Sequence, residues 1–174
     1  MQPQIQYAKT SDGVNIAYYE LGEGLPFVVL GLPSHLSAEW RLQGAIYEAL
    51  AKDVRLVRLD HRGFGLSDRE PEDISPNGYV SDVEAVVDKL ELSRFILFSN
   101  APPATPIAIA YAARHPERVS RLLLNGNART VQSLTEQTDA TLNMPGSIGS
   151  SPAKRWSESS WDGTRRRPPG PWQN

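Results

Sequence analysis

Apolar and polar positions along the first 125 residues change period several times, and each change marks an element. Ile5 to Lys9 and Val14 to Leu21 are two short β-like runs joined by Ser11-Asp12-Gly13. Such a cluster between alternating segments signals a hairpin, because glycine enters the left-handed region without a Cβ clash. Gly22-Glu23-Gly24-Leu25-Pro26 then interrupts the chain, and Phe27-Val28-Val29-Leu30 follows as a continuous apolar run. Such a run is expected of a strand covered on both faces.

Helical spacing takes over from Trp40 to Leu50, where Trp40, Ile46, Tyr47 and Leu50 fall roughly on one face. Val54 to Leu59 returns to strand periodicity and ends at Asp60. Tyr79 to Leu90 places Val80, Val83, Val86, Val87 and Leu90 at spacings of three and four, an amphipathic helix. Either Ser75 or Asn77 is its expected cap. Phe95 to Phe98 is another buried strand. Pro106 to Arg114 is helical, since proline suits the first turn of a helix. Val119 to Leu124 is one more strand, stopped by Asn125-Gly126-Asn127. After the opening hairpin, strand and helix alternate. That order predicts an α/β fold with a mostly parallel sheet and helices on both faces.

Beyond Asn127 the pattern fades. Residues 128–142 are polar, and from Pro145 onward Ser, Gly, Pro, Arg and Trp dominate, including Arg165-Arg166-Arg167-Pro168-Pro169-Gly170-Pro171. The expectation is a partial domain over 4–129 and a low-complexity, disordered tail over 130–174. An Arg-, Pro- and Gly-rich stretch of this kind also arises when a GC-rich gene is read out of frame. Translating the other two frames downstream of codon 129 tests that origin.

Bulk properties narrow the classes. The chain has 174 residues, a formal net charge of −2 and no cysteine. It is long enough to bury a core, and it lacks the basic footprint of a nucleic-acid binder. Disulfides and thiolate chemistry are excluded. No His-x-x-x-His or carboxylate cluster has metal-ligand spacing, and no G-x-G-x-x-G opens a helix; no metal or cofactor is expected. The amino terminus lacks a leader pattern, and no apolar run approaches the ~20 residues of a membrane helix. The expected location is cytoplasmic, without a nucleic-acid or membrane partner.

Three landmarks then stand in order: Leu30-Gly31-Leu32-Pro33-Ser34-His35, Asp60-His61-Arg62-Gly63-Phe64-Gly65-Leu66-Ser67-Asp68, and Tyr111-Ala112-Ala113-Arg114-His115-Pro116-Glu117-Arg118-Val119. Together they resemble the α/β-hydrolase superfamily, over its amino-terminal half. Ser34-His35-Leu36, Glu39-Trp40 and Asp73-Ile74-Ser75 look most like bacterial members associated with cyclase or LuxR-type regulatory domains. The resemblance implies an incomplete α/β-hydrolase fold and an ancestral serine-dependent hydrolysis of small ester- or amide-type substrates.

Enzymes of this fold hold a serine on a sharp strand-to-helix turn, flanked by small residues, and take the acid and histidine from later in the chain. Counting back from His115 in the family register puts the serine position at Pro102, within Asn100-Ala101-Pro102-Pro103-Ala104-Thr105. Proline offers no nucleophile, and its ring fixes φ near −65° where the elbow needs a positive value. The next residue should donate an N–H to the oxyanion, yet Pro103 has none. Losing one such donor alone costs about 10²–10³ in turnover in a known protease. The second donor, Leu32, is vestigial. Ser99 is a substitute serine at the strand end, out of register by three, and Thr105 is weaker still.

All three histidines, His35, His61 and His115, fall before the region where the base belongs. His61 lies on the wrong loop for that role, and His115 suits a helix C-terminus. Asp60, Arg62, Gly63, Gly65 and Ser67 read as a structural turn, with the two glycines permitting a left-handed path. The leading expectation is thus an inactive, truncated hydrolase. A non-catalytic binding module and a weak esterase, using Ser99 or a complementing chain, are the alternatives. A half-sheet with an unpaired inner edge is also expected to self-associate.

Overall fold

The computed structural model describes residues 3–125. The boundary at 129 and the tail over 130–174 lie outside the described residues. The opening runs form β1 (Gln6–Lys9) and β2 (Asn15–Leu21), followed by β3 (Leu25–Leu30), α1 (Leu36–Leu50), β4 (Val54–Leu59) and α2 (Pro76–Lys89). Then come β5 (Phe95–Ser99), a single 3-10 turn at Pro102–Ala104, α3 (Thr105–Arg114) and β6 (Val119–Leu124). The six strands form one sheet in the order β1-β2-β4-β3-β5-β6. β1 pairs antiparallel with β2, and β2 antiparallel with β4. β4, β3, β5 and β6 run parallel, as the strand–helix alternation requires.

Helices cover both faces. Val80, Val83, Val86 and Val87 of α2, with Ile107, Ala108 and Tyr111 of α3, pack on Ile16, Val28, Leu30, Val57, Leu59 and Leu97. On the opposite face Leu36 and Trp40 of α1 pack against Ala17 and Tyr19, and Tyr47 against Val29 and Leu56. Trp40 meets the Tyr19 ring edge-on at 5.9 Å.

Element ends differ from the sequence pattern for identifiable reasons. α1 starts at Leu36, four residues before Trp40, because the Asp60 carboxylate accepts the Leu36 N–H at 3.0 Å. A helix's first N–H groups need outside acceptors, and this one arrives from a distant loop. The buried stripe of α1 is also narrower than expected. Ile46 and Leu50 are exposed, while Leu36, Gly44 and Tyr47 face inward. Gly44 allows the Trp40 ring to lie close, since a Cβ there would sit 3.1 Å from it. α2 begins at Pro76, capped by the Ser75 hydroxyl, which accepts the Gly78 N–H at 3.2 Å. Asn77 instead joins two helices, its Oδ1 accepting from Arg114 of α3 at 2.9 Å.

Candidate active site

In an open parallel sheet, ligands and chemistry gather beyond the carboxyl ends of the strands. Three turns meet there in this chain, after β3, β4 and β5.

The turn after β4 is the most heavily tied. Asp60 is fully buried, and its carboxylate accepts the N–H of Leu36 and of Leu66, the latter at 2.9 Å. The Ser67 hydroxyl donates to the Asp60 carbonyl at 2.5 Å and accepts the Ala17 N–H at 2.8 Å. Gly63 and Gly65 carry φ of 78° and 51°. At Gly65 a Cβ would collide with the Asp60 carboxylate, so only glycine fits.

Arg62 is buried and donates to two carboxylates, through Nε to Asp82 at 2.7 Å and through NH1 to Asp12 at 2.7 Å. That contact with Arg62 holds the Asp12 carboxyl down at about 2. One side chain thereby ties the β1–β2 hairpin to α2. His61 lies fully buried beside Asp82, with Nδ1 at 3.2 Å from Oδ2 and its ring edge-on to Tyr79. An imidazole so enclosed cannot reach a solvent-borne substrate.

The turn after β5 is built differently. Asn100 donates its N–H to the Leu30 carbonyl at 3.0 Å, locking the turn against the end of β3. Gly31 makes room: a Cβ there would lie 3.1 Å from Asn100 Oδ1. Ala101 is extended, with φ −144° and ψ 146°, and Pro102 opens the 3-10 turn. Among the described residues only Glu91, far from this turn, is a non-glycine with positive φ. The strained conformation of a nucleophile elbow is therefore not present at Pro102.

Ser99 is fully buried at the last position of β5. Its hydroxyl donates to the Ala101 carbonyl at 2.9 Å and lies 3.0 Å from the Thr105 hydroxyl. It closes the turn from inside and has no imidazole partner. Leu32 is buried just after Gly31, ahead of a cis bond to Pro33. His115 sits at the C-terminus of α3, where Nε2 is 2.8 Å from Glu84.

Beyond residue 26 the chain matches the family model described as the alpha/beta hydrolase fold, over residues 27–147. The chain belongs to the α/β-hydrolase family. It is 35% identical to the 2-hydroxymuconate semialdehyde hydrolase of Pseudomonas sp. strain CF600, over 79% of this chain and 49% of that protein. It is 28% identical to the 2-hydroxy-6-oxo-2,4-heptadienoate hydrolase of Pseudomonas putida F1, over 74% of this chain and 46% of the relative. Among solved structures, a mutant of the meta-cleavage product hydrolase from Pseudomonas fluorescens IP01, complexed with acetates, superposes with a TM-score of 0.57 and 29% identity. That superposition covers 70% of this chain and 44% of the other. The chain thus spans about half the length of the curated relatives it matches.

Two buried charges escaped the sequence reading. Arg58 sits in β4 where alternation suggests a solvated face, yet it is fully buried and donates to Glu39 and to the Tyr47 hydroxyl on α1. Burial pushes the Tyr47 phenol up. Asp82 lies on the apolar side of α2, between Tyr79 and Val86, and that misplaced charge was the available signal. No group of three or more His, Cys, Asp or Glu side chains among the described residues is arranged to hold a metal ion. No helix of the described residues is long and apolar enough to cross a membrane.

Proposed function

We propose that this chain is a non-hydrolytic member of the α/β-hydrolase family, derived from a serine-dependent hydrolase of small ester- or amide-type substrates. One observation carries the reading: the turn after β5 has Pro102-Pro103 in a 3-10 turn, where counting back from His115 expects the nucleophile. The pair lacks a hydroxyl, the positive φ and one oxyanion donor at once. The buried Ser99, bonded to Ala101 and Thr105, supports the same reading and weighs against a substitute nucleophile. The well-tied turn after β4 favours, as a second reading, a hydrolase core retained as a binding or scaffold module. The residues around His35 and Trp40 further support kinship with hydrolases that accompany cyclase or LuxR-type regulatory domains.

The test treats the full chain with a fluorophosphonate probe and with short-chain nitrophenyl esters. Neither covalent labelling nor turnover above the buffer rate is expected, and Ser99→Ala should leave both results unchanged. Labelling that disappears in Ser99→Ala would remove the proposal.

A further inference from the structure

Two Asn-Gly pairs occur in the chain, Asn77-Gly78 and Asn125-Gly126. The first lies wholly within the described residues, in the opening turn of α2. Asn-Gly is the pair most open to intramolecular ring closure, because glycine puts no side chain in the way of its own nitrogen. That nitrogen loses a proton to hydroxide and attacks the asparagine Cγ. The bond from Cγ to the side-chain nitrogen breaks, ammonia leaves, and a five-membered succinimide remains. Water then opens either carbonyl, giving aspartate or isoaspartate.

Packing fixes glycine at position 78. A Cβ there would lie 2.8 Å from Arg62 NH1 and 3.0 Å from Asp73 Oδ2. Arg62 is pinned, since NH1 donates to Asp12 at 2.7 Å and to the Asp73 carbonyl at 2.9 Å. Asn77 is itself exposed to water. Two bonds nevertheless hold the reacting atoms apart. The Gly78 N–H donates to the Ser75 hydroxyl at 3.2 Å, and the Asn77 Oδ1 accepts from Arg114 NH2 at 2.9 Å. Helical backbone also keeps ψ at about −40°, which turns Cγ away from the next nitrogen.

We propose that Asn77-Gly78 is a latent succinimide-forming site, closed while the first turn of α2 is intact and released when that turn opens. The two products act in opposite directions. Conversion to aspartate sets a carboxylate beside Arg114 in a first turn that has no acidic residue, which the helix dipole favours. Isoaspartate adds a methylene to the main chain, which parts Gly78 from Ser75 and holds the turn open.

The test maps the full chain by mass spectrometry after incubation in alkaline buffer, with and without urea. Conversion at position 77 adds one mass unit, and the isoaspartate peptide elutes apart from the aspartate peptide. In buffer the reaction should run at least ~10-fold slower than in urea, the margin set by local opening of the turn. Ser75→Ala removes the cap and should raise the rate in buffer about fivefold. Ser75→Asp keeps an accepting oxygen and should match the parent. Arg114→Ala, at an exposed position, should raise the rate by a smaller factor. Val29→Ala, in the cluster under α1 on the opposite face, should leave it unchanged. Circular dichroism shows whether Ser75→Ala remains folded; if it does not, Arg114→Ala decides. Equal rates in buffer and urea would overturn the proposal, as would no gain in Ser75→Ala or in Arg114→Ala. A gain in Val29→Ala as large as that in Ser75→Ala would overturn it too, because opening would then belong to the whole chain.

Discussion

The turns after β4 and β5 leave the same end of the same parallel sheet, yet they solve different problems. Around Asp60 and Arg62 the side chains reach partners on other elements: α1, α2, β2 and the β1–β2 hairpin. Around Pro102 the bonds are local, from Ser99 to Ala101 and Thr105, with Asn100 fastened to Leu30. The first turn holds elements together. The second joins a strand to a helix through two prolines, whose fixed φ suits a helical start.

The contrast should break most visibly at Asp82. Asp82→Ala leaves His61 without its carboxylate and Arg62 with Asp12 as its one remaining counter-charge. A loss of about 3–5 kcal/mol in urea unfolding is expected for breaking a buried ion pair. Gly65→Ala comes next: the positive φ alone costs about 1–3 kcal/mol, and the Asp60 carboxylate must also move. A thermal midpoint within a degree of the parent would refute the claim that this turn is architectural.

Changes in the β5 turn should be milder. Ser99→Ala removes one hydroxyl and its two contacts, about 1 kcal/mol. Pro102→Ser should change stability by less than about 1 kcal/mol. It should also give no ester turnover in the nitrophenyl assay, because Pro103 still lacks the oxyanion N–H. Measurable turnover from that single change would show that the elbow geometry survives.

The smallest effect is expected in acid. Arg62 holds the Asp12 carboxyl at about 2, below its ordinary 3.8. A carboxyl whose value is lower in the folded chain stabilises it fully above the unfolded value. That contribution is lost as pH falls from about 4 toward 2. Asp12 is partly exposed, so salt should weaken the effect. Comparing acid unfolding of the parent and Asp12→Asn at low and high salt checks it.

Much of this was legible from one chain. The strand–helix alternation, the hairpin at Gly13, the two left-handed glycines and the absence of a positive φ at Pro102 all rest on local rules. Period, turn chemistry and the covalent geometry of proline do not depend on distant residues. The misreadings have the opposite character. α1 starts early because Asp60, twenty-four positions away, accepts its first N–H. Arg58 is buried because Glu39 and Tyr47 wait for it on a helix, and no alternation rule can report a partner across the sheet.

Sequence alone determined the class of fold, the family and the absence of a hydroxyl at the expected nucleophile. Each of those follows from residue identity and spacing. Tertiary structure decided that Ser99 faces inward, that Arg62 bridges the hairpin to α2, and that Arg58 meets its partners on α1. Those depend on which groups meet in space, and burial and pairing are properties of the whole assembly of elements rather than of any one segment.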